Sequence, residues 1–250
     1  MKTIVALSGG ADSTALALLE EDAELVFTDT RWEFPELYAH LDRFEAATGR
    51  TVRRLQHPRY PGGLPAYIQA SKFLPNHGAR FCTRMFKIET MNAYIASLGE
   101  PATLLVGLRA DEPADVRVGN LTEMDGLTIR YPLRERGMTR ADVLRVCLDW
   151  GLLPRYPVYM ARGGCMGCFY KRKAEVQAMI ALVPDVVDEL QRLEEAVQDE
   201  RGAYFHMFPN AGASLADLRA QAWMFDPAEV YAAAAQNGDK GAACGLFCQR

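Results

Sequence analysis

The sequence predicts a parallel α/β sheet followed by a helical C-terminal part. Short apolar strands recur along the first half of the chain, helical patterns separate them, and strand signals stop after residue 156. Strands that alternate with helices are typical of βα units, which build parallel sheets. We therefore expect an α/β domain over residues 1–160 and a helical, cysteine-bearing region over residues 161–250.

Each element rests on a local pattern. Wholly apolar or β-prone runs predict strands at 4–7, 24–28, 52–55 and 103–107. Helix-forming residues and apolar side chains on one helical face predict helices at 13–20, 34–48, 84–98 and 139–150. Prolines and adjacent glycines predict a long loop over 56–80 around one short helix at 66–72. Beyond the sheet, helices are predicted at 173–198, 215–222 and 227–235.

Composition narrows the class of protein. The 250 residues carry a net charge of −4, so no overall basic field indicates a nucleic-acid partner, although a local basic patch is compatible with this charge. The apolar N-terminal run is too short for a signal peptide, and no stretch approaches the roughly 20 apolar residues of a membrane helix. We expect a cytoplasmic protein, in which six cysteines indicate metal binding or redox chemistry rather than disulfides.

A glycine-containing loop lies between the first predicted strand and the first predicted helix. Its residues are Ser8, Gly9, Gly10, Ala11, Asp12, Ser13 and Thr14. Glycines let backbone N–H groups approach an anion, and a helix N-terminus adds partial positive charge. Ser8, Ser13 and Thr14 add hydroxyl donors, while Asp12 could cap the helix or help to hold Mg²⁺. The loop lacks the lysine of a Walker motif. A tight turn without a ligand is the simpler alternative, and we predict phosphate binding.

Further segments follow this loop in order. They are residues 28–36, which lead through an acidic turn into Glu33-Phe34-Pro35; Cys82-Thr83-Arg84 with Lys87; residues 107–112 with Arg117; and Tyr131-Pro132-Leu133 with Thr139, Asp142 and Val143. Together with the loop they resemble the phosphoadenylyl-sulfate (PAPS) reductase branch of the PP-loop adenine-nucleotide alpha-hydrolase superfamily. The resemblance implies a Rossmann-like parallel sheet that binds ATP, PAPS or APS.

The resemblance also implies roles for individual residues. The loop would hold the phosphates, and Thr28, Asp29 and Thr30 would lie near the nucleoside, as ligands do at strand ends of open sheets. Gly107 would let the backbone pass close to the nucleotide. The cations Lys87, Arg109 and Arg117 would balance phosphate or sulfate charge. Each of these cations could equally be a solvated surface charge.

The cysteines suggest a metal site with widely separated ligands. Cys165 and Cys168 form a Cys-x-x-Cys, Cys82 lies far upstream, and either Cys244 or Cys248 could complete a set of four thiolates. Four thiolates can hold a [4Fe–4S] cluster or zinc; the cluster is our prediction, with zinc and no metal as alternatives. Cys147 lies in an apolar helical pattern and is predicted to be a buried side chain. Lys171-Arg172-Lys173 fits a solvated helix start or a contact with nucleic-acid phosphate.

The end of the chain departs from the reductases that it resembles. They end in Glu-Cys-Gly-x-His, whereas this chain has Ala243-Cys244-Gly245-Leu246-Phe247-Cys248. Split cysteine ligands are similar to those of sulfur-inserting relatives that modify DNA or tRNA. The leading hypothesis is an ATP-using sulfur-transfer enzyme that forms AMP and pyrophosphate, with Asp12, Lys87, Arg109, Cys244 and Cys248 as catalytic candidates. Its acceptor could be a nucleic acid, and its sulfur donor a cysteine desulfurase.

Two alternatives remain open at this stage. One is a sulfonucleotide reductase in which Cys244 attacks the sulfate sulfur and thioredoxin supplies the electrons. The other is a nucleotide-binding module without turnover. The sequence does not determine the oligomeric state.

Overall fold

A five-stranded parallel sheet forms the centre of the protein. The computed structural model describes residues 1–113, 124–157, 159–160, 163–202 and 204–221. The strands are β1 (Lys2–Ala6), β2 (Glu24–Thr28), β3 (Val52–Leu55), β4 (Ala102–Leu105) and β5 (Leu127–Arg130). Their order is β3-β2-β1-β4-β5, and each neighbouring pair is parallel. The predicted α/β fold is confirmed.

Helices lie between and after these strands. In chain order they are α1 (Ala11–Leu19), α2 (Pro35–Thr48), α3 (Gly63–Ser71), α4 (Phe81–Thr83), α5 (Thr90–Ser97), α6 (Pro132–Glu135), α7 (Arg140–Asp149), α8 (Lys173–Leu182), α9 (Pro184–Arg201) and α10 (Leu215–Ala220). A π turn (Arg84–Glu89) joins α4 to α5, and a 3-10 turn (Pro209–Ala211) precedes α10.

The sheet is covered on both faces because β1 and the residue that follows it are apolar on both sides. Val5 and Leu7 pack into one cluster with residues of α1, α2 and α7, whereas Ile4 and Ala6 pack into another with residues of α5. Successive side chains of a strand point to opposite faces of the sheet. The continuous apolar run therefore gives two cores, one on each side.

Two elements differ from the sequence-based expectation. β5 was not predicted, because it is a short edge strand in which Thr128 and Arg130 are exposed and only Leu127 and Ile129 are half-buried. The single helix predicted over 173–198 is wrong. It breaks where Pro184 begins α9, since proline lacks an N–H and disfavours helical geometry in the residue before it.

The C-terminal helices share an apolar cluster with residues from the first half of the chain. Met179 of α8 and Leu190 of α9 lie in the same cluster as Ile68 and Phe86. The division of the chain near residue 160 stays a prediction, and the helix predicted at 227–235 lies outside the described residues. Over the described ranges, no helix combines the length and the apolar character needed to cross a membrane.

Two residues that follow helices provide a test of backbone strain. Lys72, after α3, has a left-handed conformation with φ of 51°, which costs an L-residue about 1–2 kcal/mol. Gly49, after α2, has φ of 68°, and a Cβ there would meet nothing within 4 Å. We expect Lys72→Gly to raise the free energy of unfolding and Gly49→Ala to lower it, each by about 1 kcal/mol. Urea unfolding measures both changes, and shifts of the same sign would contradict this account.

Candidate functional site

The carboxyl ends of β1 and β4 lie side by side where the strand order reverses. From β1 the chain proceeds to β2 and β3 on one side of the sheet, and β4 then lies on the other side. Ligands of open parallel sheets bind in the crevice at such a point. Gly107, which follows β4, lies so close to α1 that a Cβ there would be 3.0 Å from backbone atoms of Asp12 and Ser13. A side chain there would have to push these backbone atoms away by a few tenths of an ångström; the contact of Gly107 with a nucleotide stays a prediction.

The loop after β1 is a closed turn at the N-terminus of α1. Gly9 has φ of +75°, and a Cβ there would be 3.0 Å from Cγ of Leu37. The Ser8 N–H donates to Oγ of Ser13 at 3.1 Å, and that hydroxyl donates to the Gly10 carbonyl at 3.1 Å. The Ser8 and Ser13 hydroxyl oxygens are 3.0 Å apart. The loop thus places two hydroxyl groups beside the positive end of a helix, as an anion site requires.

A buried ion pair joins this loop to the segment after β4. One guanidinium nitrogen of Arg109 donates to both carboxylate oxygens of Asp12, at 2.9 and 2.8 Å. Nε of Arg109 donates to a carboxylate oxygen of Asp111 at 2.9 Å. The third guanidinium nitrogen of Arg109 lies 3.7 Å from a carboxylate oxygen of Glu112. Burial alone would lower the pKa of Arg109, but the charge of Asp12 and the other carboxylates raises it above the ordinary value.

This pairing affects how Arg109 could bind an anion and how Asp12 could bind a metal ion. The charge of Arg109 is matched by carboxylates of the protein itself. The side chains of Arg109 and Asp12 are only 11% and 12% exposed, so the pair is held in the interior of the crevice. A Mg²⁺ ion bound directly to Asp12 would have to share its carboxylate oxygens with Arg109, and the predicted role of Asp12 as a magnesium ligand stays a prediction.

The end of β2 forms a second wall of the crevice. Thr28, Asp29 and Thr30 are all buried. One carboxylate oxygen of Asp29 accepts the Arg31 N–H at 2.7 Å and the Tyr38 hydroxyl at 2.7 Å. Burial, followed by the bond to Asp29, raises the pKa of the Tyr38 phenol. The Asp29 side chain is therefore held in one orientation at the strand end where the nucleoside is predicted to lie.

Glu33 and Lys87 face each other over the ends of β1 and β2. They line a small cleft together with Ser8 and Thr28. The Lys87 ammonium is 3.9 Å from a carboxylate oxygen of Glu33, and the Thr30 hydroxyl donates to the same oxygen at 3.0 Å. Lys87 lies in the π turn before α5, and such turns are frequent at functional sites. The structure thus brings Lys87 to the predicted phosphate loop.

The Cys-x-x-Cys turn packs directly on the segment that contains Glu33. Cys165 forms an antiparallel bridge with Glu33, and the Met166 N–H donates to the Trp32 carbonyl at 2.8 Å. A Cβ at Gly167 would be 2.0 Å from the Trp32 ring. Because only glycine allows the indole so close, this position ties the turn to Trp32.

Lys171 has a role that neither sequence-based interpretation anticipated. Its side chain is fully buried, its ammonium donates to the Cys165 carbonyl at 2.9 Å, and it lies 4.7 Å from the centre of the Phe34 ring. It is therefore neither a solvated charge nor a contact for nucleic-acid phosphate. It stabilises the cysteine turn against the segment after β2.

Two of the three described candidate metal ligands, Cys82 and Cys165, pack against one apolar cluster. The third, Cys168, is buried. The buried indole N–H of Trp32, whose ring packs on the turn, has no hydrogen-bond acceptor in the described part of the chain. However, no group of three His, Cys, Asp or Glu side chains within the described ranges could hold a metal ion. The three thiols do not form a metal centre by themselves, and the [4Fe–4S] cluster stays a prediction.

Three predicted site residues lie outside the described residues. They are Arg117, Cys244 and Cys248, so their predicted roles in phosphate binding, metal ligation and sulfur relay stay predictions. Cys147, in contrast, is fully buried in agreement with its predicted packing role, and burial raises the pKa of its thiol to about 12.

Sequence reasoning assigned no role to three residues that contact the site. Glu33 belongs to a segment that resembles the family, but the resemblance implies no role for its side chain. His40 hydrogen-bonds the Thr14 hydroxyl at 2.9 Å, and the Tyr156 phenol, whose pKa burial raises to about 12, hydrogen-bonds the backbone of Ala11. No local pattern marks His40 or Tyr156, because each meets its partner only through tertiary packing.

A parallel sheet with a glycine loop at its topological switch point defines an α/β protein of the nucleotide-binding class. The Phosphoadenosine phosphosulfate reductase domain family matches residues 2–131, slightly more than half of the chain. The chain belongs to this family.

Comparison with individual proteins finds similar solved structures. The phosphate complex of phosphoadenylyl-sulfate (PAPS) reductase from Candida auris is 20% identical, with a TM-score of 0.41; the match covers 59% of this chain and 71% of that one. No curated protein matches the chain.

The Asp12–Arg109 pair gives a stability prediction. Arg109→Met leaves a buried carboxylate unpaired, so we expect the free energy of unfolding to fall by about 3 kcal/mol or more. Adding Asp12→Asn should restore part of this loss, because it removes the uncompensated charge. Urea unfolding of the single and double variants measures the coupling. Arg130→Met, which removes an exposed pair with Glu135, is the control and should change stability little; equal effects at the two arginines would contradict the account.

Proposed function

We propose that the chain is an ATP-dependent sulfur-transfer enzyme. In this proposal it binds ATP at the loop of residues 8–14, directs an acceptor oxygen to the α-phosphorus, and releases pyrophosphate. A sulfur nucleophile then displaces AMP from the activated acceptor. Membership of the PAPS reductase domain family supports an adenine nucleotide as the ligand.

One observation carries the sulfur-transfer part of the proposal. The turn with Cys165 and Cys168 is bridged to Glu33, and Glu33 lines the cleft with Ser8 and Lys87. The cysteine turn and the bound nucleotide would therefore both lie against the backbone segment that contains Glu33.

The charges of the crevice favour ATP over a sulfonucleotide. Lys87 lies beside Glu33, and Arg109 is matched by Asp12, Asp111 and Glu112. A sulfate or phosphate group without a metal ion of its own would have to compete with these carboxylates for either cation. ATP would bring Mg²⁺ on its own phosphates, and that ion would supply the positive charge for the developing pyrophosphate.

The protein's own groups would bind and orient the reactants. Backbone N–H groups of the loop, with the hydroxyl of Ser8, would hold the phosphate oxygens beside the N-terminus of α1. Lys87 would approach the α-phosphate from the π turn and stabilise its added negative charge. Arg109 would act indirectly by holding Asp12 and so the first turn of α1. Cys244 or Cys248 would relay the sulfur.

The test uses ATP labelled at the α- and γ-phosphates with DNA, tRNA and small-molecule acceptors. We expect AMP and pyrophosphate in equal amounts with one acceptor class, and a loss in kcat/KM of roughly 100-fold in Lys87→Met. Lys2→Met, a change in a cation that pairs with Glu24 and lies on the first residue of β1, is the matched control and should be unaffected. Formation of ADP and phosphate, or no turnover with any acceptor, would contradict the proposal.

The family match also favours a second function, reduction of a sulfonucleotide. In that case Cys244 would attack the sulfate sulfur and displace adenosine 3′,5′-bisphosphate from PAPS or AMP from APS. Thioredoxin would then reduce the resulting thiosulfonate, release sulfite and become oxidised to its disulfide. The same preparation is assayed for thioredoxin-dependent sulfite, and Cys244→Ser should abolish it. Tight nucleotide binding without either reaction would instead indicate a binding module.

Iron content tests the predicted cluster independently of turnover. Protein purified without oxygen should be brown and contain about four irons per chain. Only one of Cys244→Ser and Cys248→Ser should lose the iron, which would assign the fourth ligand and leave the other cysteine as the sulfur relay. Iron and sulfide counts with a visible spectrum give the result. A colourless protein without iron would rule out the cluster.

A further inference from the structure

Helix α2 supports the loop of residues 8–14 from behind. Leu37 and His40 are three residues apart and so lie on the same face of this helix. Leu37 packs where a side chain on Gly9 would lie, and Nε2 of His40 is 2.9 Å from the Thr14 hydroxyl oxygen. The apolar contact limits how far the loop can move toward α2. The hydrogen bond between His40 and Thr14 is directional, so it restrains orientation as well as distance.

The hydrogen bonds of His40 determine which atom donates. A guanidinium nitrogen of Arg43 lies 3.4 Å from Nδ1, and arginine can only donate. Nδ1 therefore accepts, the imidazole proton is on Nε2, and Nε2 donates to the Thr14 hydroxyl oxygen. The hydrogen of that hydroxyl remains available for a second acceptor. Burial, with a smaller contribution from Arg43, lowers the pKa of His40 to about 4, so the ring is neutral at pH 7.

We propose that His40 is a positioning residue for nucleotide binding, which sets the orientation of Thr14 and thereby the first turn of α1. This inference rests on the proposed role of the loop in holding a nucleotide. His40 touches no ligand itself; it acts through Thr14, whose N–H also donates to the Gly10 carbonyl at 2.9 Å. Loss of the imidazole donor would let the N–H groups of the loop shift from the phosphate oxygens.

A role in packing alone would not require this chemistry. Both side chains are almost fully buried, at 1% exposure for His40 and 0% for Thr14. Buried polar groups cost free energy unless they are hydrogen-bonded, and two apolar side chains of similar shape would stabilise the same interface without that cost. The pair therefore provides a fixed geometry at the loop.

The experiment separates positioning from stability. Calorimetry measures the Kd of ATP, and of PAPS in parallel, for wild type, His40→Leu, His40→Gln and Thr14→Val, and thermal unfolding gives Tm. We expect His40→Leu and Thr14→Val each to raise Kd about tenfold, which corresponds to one lost hydrogen bond. His40→Gln should recover most of the affinity, because an amide can donate to Thr14 and accept from Arg43. The double variant His40→Leu/Thr14→Val should bind no more weakly than either single variant.

The matched control is His57→Leu. His57 is also buried but contacts the Tyr60 and Phe86 rings, so its loss should lower Tm and leave Kd unchanged. An unchanged Kd in His40→Leu and Thr14→Val would overturn the proposal, as would equal affinities of His40→Gln and His40→Leu. Binding that depends on His40 without formation of AMP and pyrophosphate would support positioning and contradict only the proposed reaction. A wild type that binds neither nucleotide would overturn both.

Discussion

The buried pair of Asp12 and Arg109 is the interaction on which the site depends. The two residues are 97 positions apart in the chain, and they connect the loops that follow β1 and β4. Charged side chains that are removed from water are stable only when they are paired with opposite charges. The two loops must therefore keep the relative position that pairs Asp12 with Arg109. Because Asp12 lies in the first turn of α1, this turn has a fixed position as well. Ser13 and the backbone N–H groups of the loop are held together with it.

A second connection links the cysteine turn to the same crevice. The segment after β2 contains Asp29 and Glu33 at the strand end and, between them, Trp32 in the apolar cluster. Gly167 and Cys165 pack on this segment from the other side. The C-terminal part of the chain therefore packs on the segment that contributes Glu33 to the lining of the cleft.

The crevice binds anions, in our proposal, mainly through its backbone. Its two described cations lie beside carboxylates of the protein, so N–H groups, hydroxyls and the helix N-terminus would provide most of the attraction. Such groups act only when their directions are fixed, because each is a dipole rather than a full charge. This dependence on direction explains why the supports behind the loop, Leu37 and His40, are relevant to function.

The sequence by itself determined the four buried or β-prone strands, the helices α1, α2, α5 and α7, and the loop of residues 8–14, because apolar runs and glycines act locally. It also predicted Lys87, Arg109 and a set of cysteines as site residues, and their roles stay predictions. Tertiary structure alone decided that β5 forms the edge of the sheet, that Arg109 pairs with Asp12 and that Lys171 is buried. It also brought His40, 26 residues away, to Thr14. The partner of a side chain depends on which elements pack together, and no local pattern encodes that choice.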